Sequence, residues 1–325
     1  MDYRALGALF RRIILAGAPI LSAGCSNNYG CPPPDVDVIA PVNVVPTDAA
    51  TTDGGLADLL SRCQASASDC TALCMRVVPQ ATSATTKQCE LVALDGGGSG
   101  VHVIYKQFCV GGRRPGGLLA PADARATNPL GAWLAECAHL EAASVDAFDI
   151  LQSEIAAHQG PQLLIAAAAA AAQDERRHAR VIGSLALDHG CAPSAAKTVR
   201  GEIRDLESIA RENAVEGCTR ETYAALIAWR QAQAAGDPEI RTAMTTIARD
   251  ETRHAALAWA VDAWASSALS TAARRRVRDA RDEASAHLLA ETSIASAPAL
   301  RSLAGLPDPD DATRMVAALH AQLPS

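Results

Sequence analysis

Asp174-Glu175-Arg176-Arg177-His178 and Asp250-Glu251-Thr252-Arg253-His254 are two copies of one pentapeptide. Each follows a glutamate, Glu141 or Glu216, by 34 or 35 residues. On an α-helix, Glu and His at i and i+3 share a face and stand about 4.5 Å apart along the axis, so both reach one metal ion. A turn signal falls near the middle of each interval, Gly160-Pro161 in the first and Gly236-Asp237-Pro238 in the second. Gly beside Pro ends one helix and starts the next. Each interval therefore reads as a helical hairpin whose upstream glutamate returns to the height of its own Glu-x-x-His. Two hairpins make a four-helix core, with Glu141, Glu175, His178, Glu216, Glu251 and His254 as inward-facing candidate metal ligands. One Glu-x-x-His alone is most often a solvated helix face. Two copies sharing Asp, Arg and an upstream Glu at matched distance make coincidence a poor explanation.

Two carboxylates and two Glu-x-x-His sets projecting into a bundle form the ligand pattern of di-iron and di-manganese proteins. On these residues the stretch 128–268 resembles the ferritin-like superfamily, and the Asp-Glu-x-Arg-His form is similar to that of the bacterial multicomponent monooxygenases. The resemblance covers under half the chain. It implies a mainly α fold, with Glu175 and Glu251 bridging two metal ions, Glu141 and Glu216 as terminal carboxylates, and His178 and His254 giving one nitrogen each. It also implies that Asp174 and Asp250 hold the ligand histidines, fixing their tautomer, while Arg177 and Arg253 neutralise those aspartates. Two iron ions are the implied cofactor and manganese is possible, because carboxylates and imidazoles suit Fe, Mn or Zn without selecting one.

Helix three offers a second glutamate. Glu221 lies five residues after Glu216 and, in a regular α-helix, points about 140° away from it, so only one of them faces the core. Repeat matching assigns Glu216, since Phe148 follows Glu141 by seven residues as Tyr223 follows Glu216. Against this, Ala214, Cys218, Ala225 and Trp229 make the Glu221 side the more apolar. Tyr223 then reads as core, or as a redox-active phenol near the metals. Cys137, one turn before Glu141, either lines the pocket or joins Cys191 or Cys218 in a disulfide, the better reading in an exported chain. His139, His158, His189, His287 and His320 show no ligand spacing and read as surface residues.

The N-terminus sets the compartment. Arg4, Arg11 and Arg12 precede the apolar run Ile13–Leu21, and Leu21-Ser22-Ala23-Gly24-Cys25 follows. Residues 1–24 read as a secretory signal, and the Ala-Gly-Cys ending resembles a bacterial lipobox, with Cys25 as the lipid anchor and Ser22 standing where an aliphatic residue is usual. The expectation is an exported protein of the bacterial cell envelope, held at the membrane by its N-terminal lipid. Residues 25–60, rich in Pro, Asp, Thr and Gly, read as a flexible tether. Residues 61–118 carry Cys63, Cys70, Cys74, Cys89 and Cys109, with Cys31 upstream, and read as a small α/β module stapled by disulfides. Fifteen pairings of six cysteines are open. Zinc binding is the weaker alternative, since Cys70-x3-Cys74 lacks a second matched pair. Gly111-Gly112-Arg113-Arg114-Pro115-Gly116-Gly117 reads as a linker turn, with a cradle for an anion as the weaker alternative.

Residues 125–325 then form the bundle, with extra helices over about 270–294 and 310–322. Removal of a signal carrying Arg4, Arg11, Arg12 and Asp2 takes the formal charge from −7 to about −9, which argues against a nucleic-acid partner. The expected chemistry is oxidation of Fe(II), or reaction with dioxygen or peroxide, since an oxygenase needs an electron donor and no flavin or nicotinamide motif is present. The alternatives are a non-enzymatic envelope scaffold that does not use the metals, and metal storage.

Overall fold

The computed structural model describes residues 3–16, 36–42, 56–66, 70–77, 86–94, 98–105, 113–116, 118, 129–292 and 296–323. In chain order the elements are α1 (Tyr3–Ala16), β1 (Val36–Pro41), α2 (Leu56–Ala65), α3 (Cys70–Val77), β2 (Thr86–Leu94), β3 (Gly98–Tyr105), α4 (Pro129–Ala157), α5 (Gln162–Asp188), α6 (Leu206–Glu212), a π-helix (Asn213–Glu221), α7 (Thr222–Ala234), α8 (Pro238–Ala268), α9 (Thr271–Thr292), α10 (Pro298–Leu303) and α11 (Pro309–His320). The protein is mainly helical. It divides into two compact units, residues 32–108 and residues 109–325 together with 1–31.

The smaller unit is an antiparallel sheet in the order β1-β3-β2 with α2 and α3. Disulfides Cys63–Cys70 and Cys74–Cys89 tie α2 to α3 and α3 to β2 around Leu59, Leu73, Val101 and Val103. They consume the sulfurs of Cys70 and Cys74, which removes the zinc alternative, and they match an oxidising, non-cytoplasmic compartment. Cys31 and Cys109 lie outside the described residues. The tether reading of 25–60 needs correction, because β1 and the start of α2 fall inside it. The apolar alternation of Val36-Asp37-Val38-Ile39 is masked by the surrounding proline-rich composition, and Pro41 is tolerated because β1 is an edge strand.

In the larger unit α4 and α5 form one hairpin through residues 158–161, and α7 and α8 form the other through 235–237. Asp237 caps α8 by accepting from the backbone N–H groups of Glu239 and Ile240, with Pro238 at its first position. The alanine run 166–172 lets α5 approach α4 closely: Ala168, Ala171 and Ala172 pack with Phe148, Leu151 and Ile155. At the other end Leu130, Trp133 and Leu134 pack with Ile182, Leu185, Ile240, Met244 and Ile247. The polar layer carrying Glu141, Glu175, His178, Glu251 and His254 falls between these apolar layers in sequence on α4, α5 and α8. Helices α9 and α11 match the expected extra helices, and α10 is additional.

The closest approach in this packing is at Gly131, where an added Cβ would lie 2.3 Å from the His189 carbonyl oxygen. A backbone atom cannot rotate away, so Gly131→Ala is expected to cost about 1–3 kcal/mol through overpacking, read as a lower denaturation midpoint with unchanged helical content.

Helix α1 buries Leu6, Leu9, Phe10, Ile13 and Ile14 in a cluster with Tyr223, Leu226, Met315, Val316 and Leu319. The run expected to be the apolar part of a signal thus begins inside α1, while residues 17–24 and Cys25 lie outside the described residues. Among the described residues no helix is long and apolar enough to cross a membrane. His139 is a correction to the surface reading: it is buried, and its Nδ1 contacts the Ser194 carbonyl at 3.1 Å. The expected disulfide from Cys137 to Cys191 or Cys218 is also absent, for Cys191 and Cys218 are buried free thiols.

Candidate metal centre

Both pentapeptides sit mid-helix, Asp174–His178 on α5 and Asp250–His254 on α8, so Glu and His of each point the same way. The two copies meet. His178 Nδ1 lies 3.5 Å from Glu141, 3.6 Å from Glu175 and 3.2 Å from Glu251. His254 Nδ1 lies 3.1 Å from Glu175 and 3.5 Å from Glu251. Glu175 thus turns Oε2 to one histidine and Oε1 to the other, and Glu251 Oε1 is near both. Glu141 stands by His178. The ligand atoms of Glu141, Glu175, His178 and Glu251 all lie within 4.8 Å of one another, a cluster that can hold a metal ion.

The outer nitrogens are held crosswise. His178 Nε2 pairs with Asp250 at 3.1 Å, and His254 Nε2 with Asp174 at 3.4 Å. Each aspartate therefore serves the histidine of the other repeat. Arg177 reaches Asp174 and also Asp250 at 3.2 Å, while Arg253 reaches Asp250 at 2.6 Å and Asp174 at 3.0 Å. This square of two arginines and two aspartates closes the layer, and each imidazole with its Nε2 proton on an aspartate turns a lone pair on Nδ1 inward.

The assignment of Glu216 is corrected by its surroundings. Its carboxylate accepts from the Arg114 backbone N–H at 3.3 Å and lies 3.7 Å from Arg220, away from the cluster. Glu221 is the buried one, at 1% exposure, and it feels the charges of His254, Glu251 and Glu175. Over Asn213–Glu221 the chain is a π-helix, so the 3.6-residue register assumed for helix three does not hold there. Thr219 Oγ1 donates to the Ala214 carbonyl and Thr222 Oγ1 to that of Gly217, both five residues back. Tyr223 is buried in the apolar cluster with Leu226, Trp259 and Val316, so it reads as core.

Burial of charge governs the electrostatics. Burial, then the Glu175 charge, pushes the Glu141 carboxyl well above its ordinary range. Burial likewise raises Glu221 to about 8, opposed by Arg113 and His254. For Glu175 burial is outweighed by contacts with His178 and His254, and its carboxyl is held low. His178 is raised because Asp250 and the three glutamates overcome its burial, and His254 because Glu251, Asp174 and Glu175 do the same.

The donor atoms are nonetheless left without hydrogen bonds. Among the described residues, the buried side-chain atoms lacking a hydrogen-bond partner include one oxygen of Glu141, both oxygens of Glu175, Glu221 and Glu251, and Nδ1 of His178 and His254. Buried polar atoms are ordinarily satisfied, and orphans call for an explanation such as an ion. The carboxylates of Glu141, Glu175 and Glu251 with the imidazoles of His178 and His254 fit a hard to borderline divalent metal ion. Beside the layer Trp133, Cys137, Ile182, Met244 and Ile247 line, with Glu141 and Glu251, a partly open cavity of about 20 Å³. Cys137 therefore lines the pocket, as one of its two readings expected.

Another residue was not singled out from sequence as part of the site. Arg113 is 1% exposed and donates to Asn213 Oδ1 at 3.2 and 3.1 Å, with its guanidinium 3.8 Å from Glu221. Compared with protein families, with curated proteins and with solved structures, the chain finds no match. The reading of the site rests on its own geometry and chemistry.

Glu221→Ala and Glu216→Ala separate the two carboxylates. Glu221→Ala is expected to lower bound metal from about two ions per chain to about one, the Glu141–His178 side being kept, whereas Glu216→Ala leaves the content unchanged. Elemental mass spectrometry of the two variants checks this.

Proposed function

We propose that this chain is an exported, ferritin-like dinuclear metal protein of the bacterial envelope that oxidises Fe(II) with dioxygen or peroxide, anchored through a lipid on Cys25 after removal of residues 1–24, so that α1 covers the cluster of Leu226, Met315 and Val316 only in the precursor. The observation that carries the metal reading is the set of seven buried donor atoms, on the clustered side chains of Glu141, Glu175, Glu251, His178 and His254, that lack hydrogen bonds. In this reading Glu175 and Glu251, each near both histidines, would bridge, Glu141 with His178 would complete one side, and the buried Glu221 with His254 would complete the other. Two iron ions held by these residues would supply two electrons together, enough to reduce peroxide to water with two protons. Manganese would fit the same donors.

The residues around the ligands have separate tasks. Asp250 and Asp174 hold the Nε2 protons and keep Nδ1 of each histidine facing inward. Trp133, Ile182, Met244 and Ile247 keep bulk water from the Glu141 and Glu251 side. The space they leave, about 20 Å³, is of the order needed for one water-sized molecule. That favours a small oxidant over an organic substrate. Cleavage at Cys25 is supported by the Leu-Ser-Ala-Gly-Cys stretch and by the two disulfides.

The test is anaerobic loading of the purified chain with two Fe(II), followed by mixing with limiting peroxide or dioxygen. The expected result is rapid oxidation of two Fe(II) per peroxide. Oxidation no faster than in Glu175→Ala, with metal bound to the wild type, would leave storage or a scaffold as the function.

A further inference from the structure

Arg113 reaches the metal layer from outside the four helices. Its backbone carbonyl accepts from Ser144 Oγ at 2.9 Å, three residues after Glu141 on α4, and its guanidinium donates twice to Asn213 at the head of the π-helix. Asn213 in turn donates to the Ala258 carbonyl on α8 at 2.9 Å. Gly217 leaves the room: a Cβ there would stand 3.0 Å from the guanidinium and 2.7 Å from Ala258 Cβ. The residue is thus tied to α4 through its backbone carbonyl and to the π-helix through its guanidinium, which lies 3.8 Å from Glu221.

A charge count shows what it does. Two divalent ions balance Glu141, Glu175, Glu221 and Glu251, and Arg177 with Arg253 balances Asp174 with Asp250. Among the described residues gathered around the layer, Arg113 is the formal charge left over, and its Nε has no hydrogen-bond partner. A positive charge fixed in a dry interior raises the energy of every further positive charge placed beside it. We propose that Arg113 is the charge-setting residue of the site. It restrains the affinity for divalent ions and raises the reduction potential of the pair, disfavouring the trivalent state, while holding Glu221 in the metal-free protein. This rests on the dinuclear reading.

The test compares wild type, Arg113→Gln, which keeps a donor for Asn213 without the charge, and Arg113→Lys, which keeps the charge. Cobalt(II) affinity of the metal-free chains is measured against a competing chelator, and the potential of the iron-loaded chains by redox titration. Arg113→Gln is expected to bind cobalt more tightly, on the order of ten- to a hundredfold for one unit charge removed nearby, and to shift the potential downward, with Arg113→Lys close to wild type. Unchanged affinity and potential in Arg113→Gln, or equal changes in both variants, would overturn the proposal. A metal-independent arm measures urea midpoints of the apoproteins: Arg113→Gln lowers the midpoint, and less so in a Glu221→Gln background. Equal loss in both backgrounds counts against the Arg113–Glu221 contact. A wild type that takes up no cobalt and no iron removes the dinuclear reading instead, and with it this proposal.

Discussion

Glu175→Ala is expected to leave the folded bundle with neither metal, a larger loss than removal of any terminal ligand. Glu175 is fully buried, and its two oxygens face different histidines, Oε2 toward His178 at 3.6 Å and Oε1 toward His254 at 3.1 Å. A bridging carboxylate contributes to both ions and screens their mutual repulsion, so its removal strips a donor and a negative charge from each side at once. Alanine also leaves space that water can fill, so the helices persist. Elemental analysis together with circular dichroism decides it. Near-zero metal with wild-type helicity is the expected pair of results, and retention of one ion would mean that Glu175 is a terminal ligand.

Stripping the metals should invert how stability depends on pH. In the metal-free protein Glu141 and Glu221 are raised carboxyls, the latter to about 8, and His178 and His254 are raised imidazoles. Each therefore binds more protons folded than unfolded once the pH passes its unfolded value. Stability falls wherever the folded state binds more protons as pH rises, by on the order of 1 kcal/mol per pH unit for each such group. The carboxyl contributions begin near pH 4.5 and that of Glu221 ends near 8, while the histidine contributions begin near 6.5. Glu175, held low, has the opposite sign, but its contribution is lost only below about pH 4.5. The apoprotein should thus lose stability from pH 5 to 8. Metal binding displaces those protons, so affinity rises over the same window and the loaded protein is held up at pH 8. With free metal a thousand times above Kd each ion adds about 4 kcal/mol, which for a domain of this size is roughly 10 °C in Tm. Melting curves with and without chelator at pH 5, 6.5 and 8 test the sign. Apoprotein stability that rises with pH would contradict it.

The hairpins and the buried cluster of Glu141, Glu175, His178, Glu251 and His254 were legible because they rest on local rules. Pentapeptide spacing, the Gly-Pro punctuation and the alanine run need only helical geometry. Glu221 was obscured because a π-helix is a break in period, whereas matching Glu216 to Glu141 assumed a continuous 3.6-residue helix. One signal was present: Glu221 stands fifteen residues before Gly236 and Glu251 fifteen after it, equal heights in the hairpin, while Glu216 stands twenty before. The crosswise pairing of Asp174 with His254 and Asp250 with His178 depends on how two separate helices face each other, which spacing within one helix does not contain. Arg113 lies 108 residues before Glu221 in a glycine-rich stretch whose composition reads as linker, and only the fold brings them together. Strand β1 was hidden in the same way, a short alternating run inside a proline-rich region.

The most direct test is the metal content of the purified chain after anaerobic reconstitution with iron or manganese, measured per chain by mass spectrometry and repeated for the Glu175→Ala/His254→Ala double variant. A dinuclear site predicts close to two ions per chain in the wild type and none in the double variant. Absence of bound metal in the wild type with either ion would contradict it and leave the buried carboxylates and histidines as a scaffold without its cofactor.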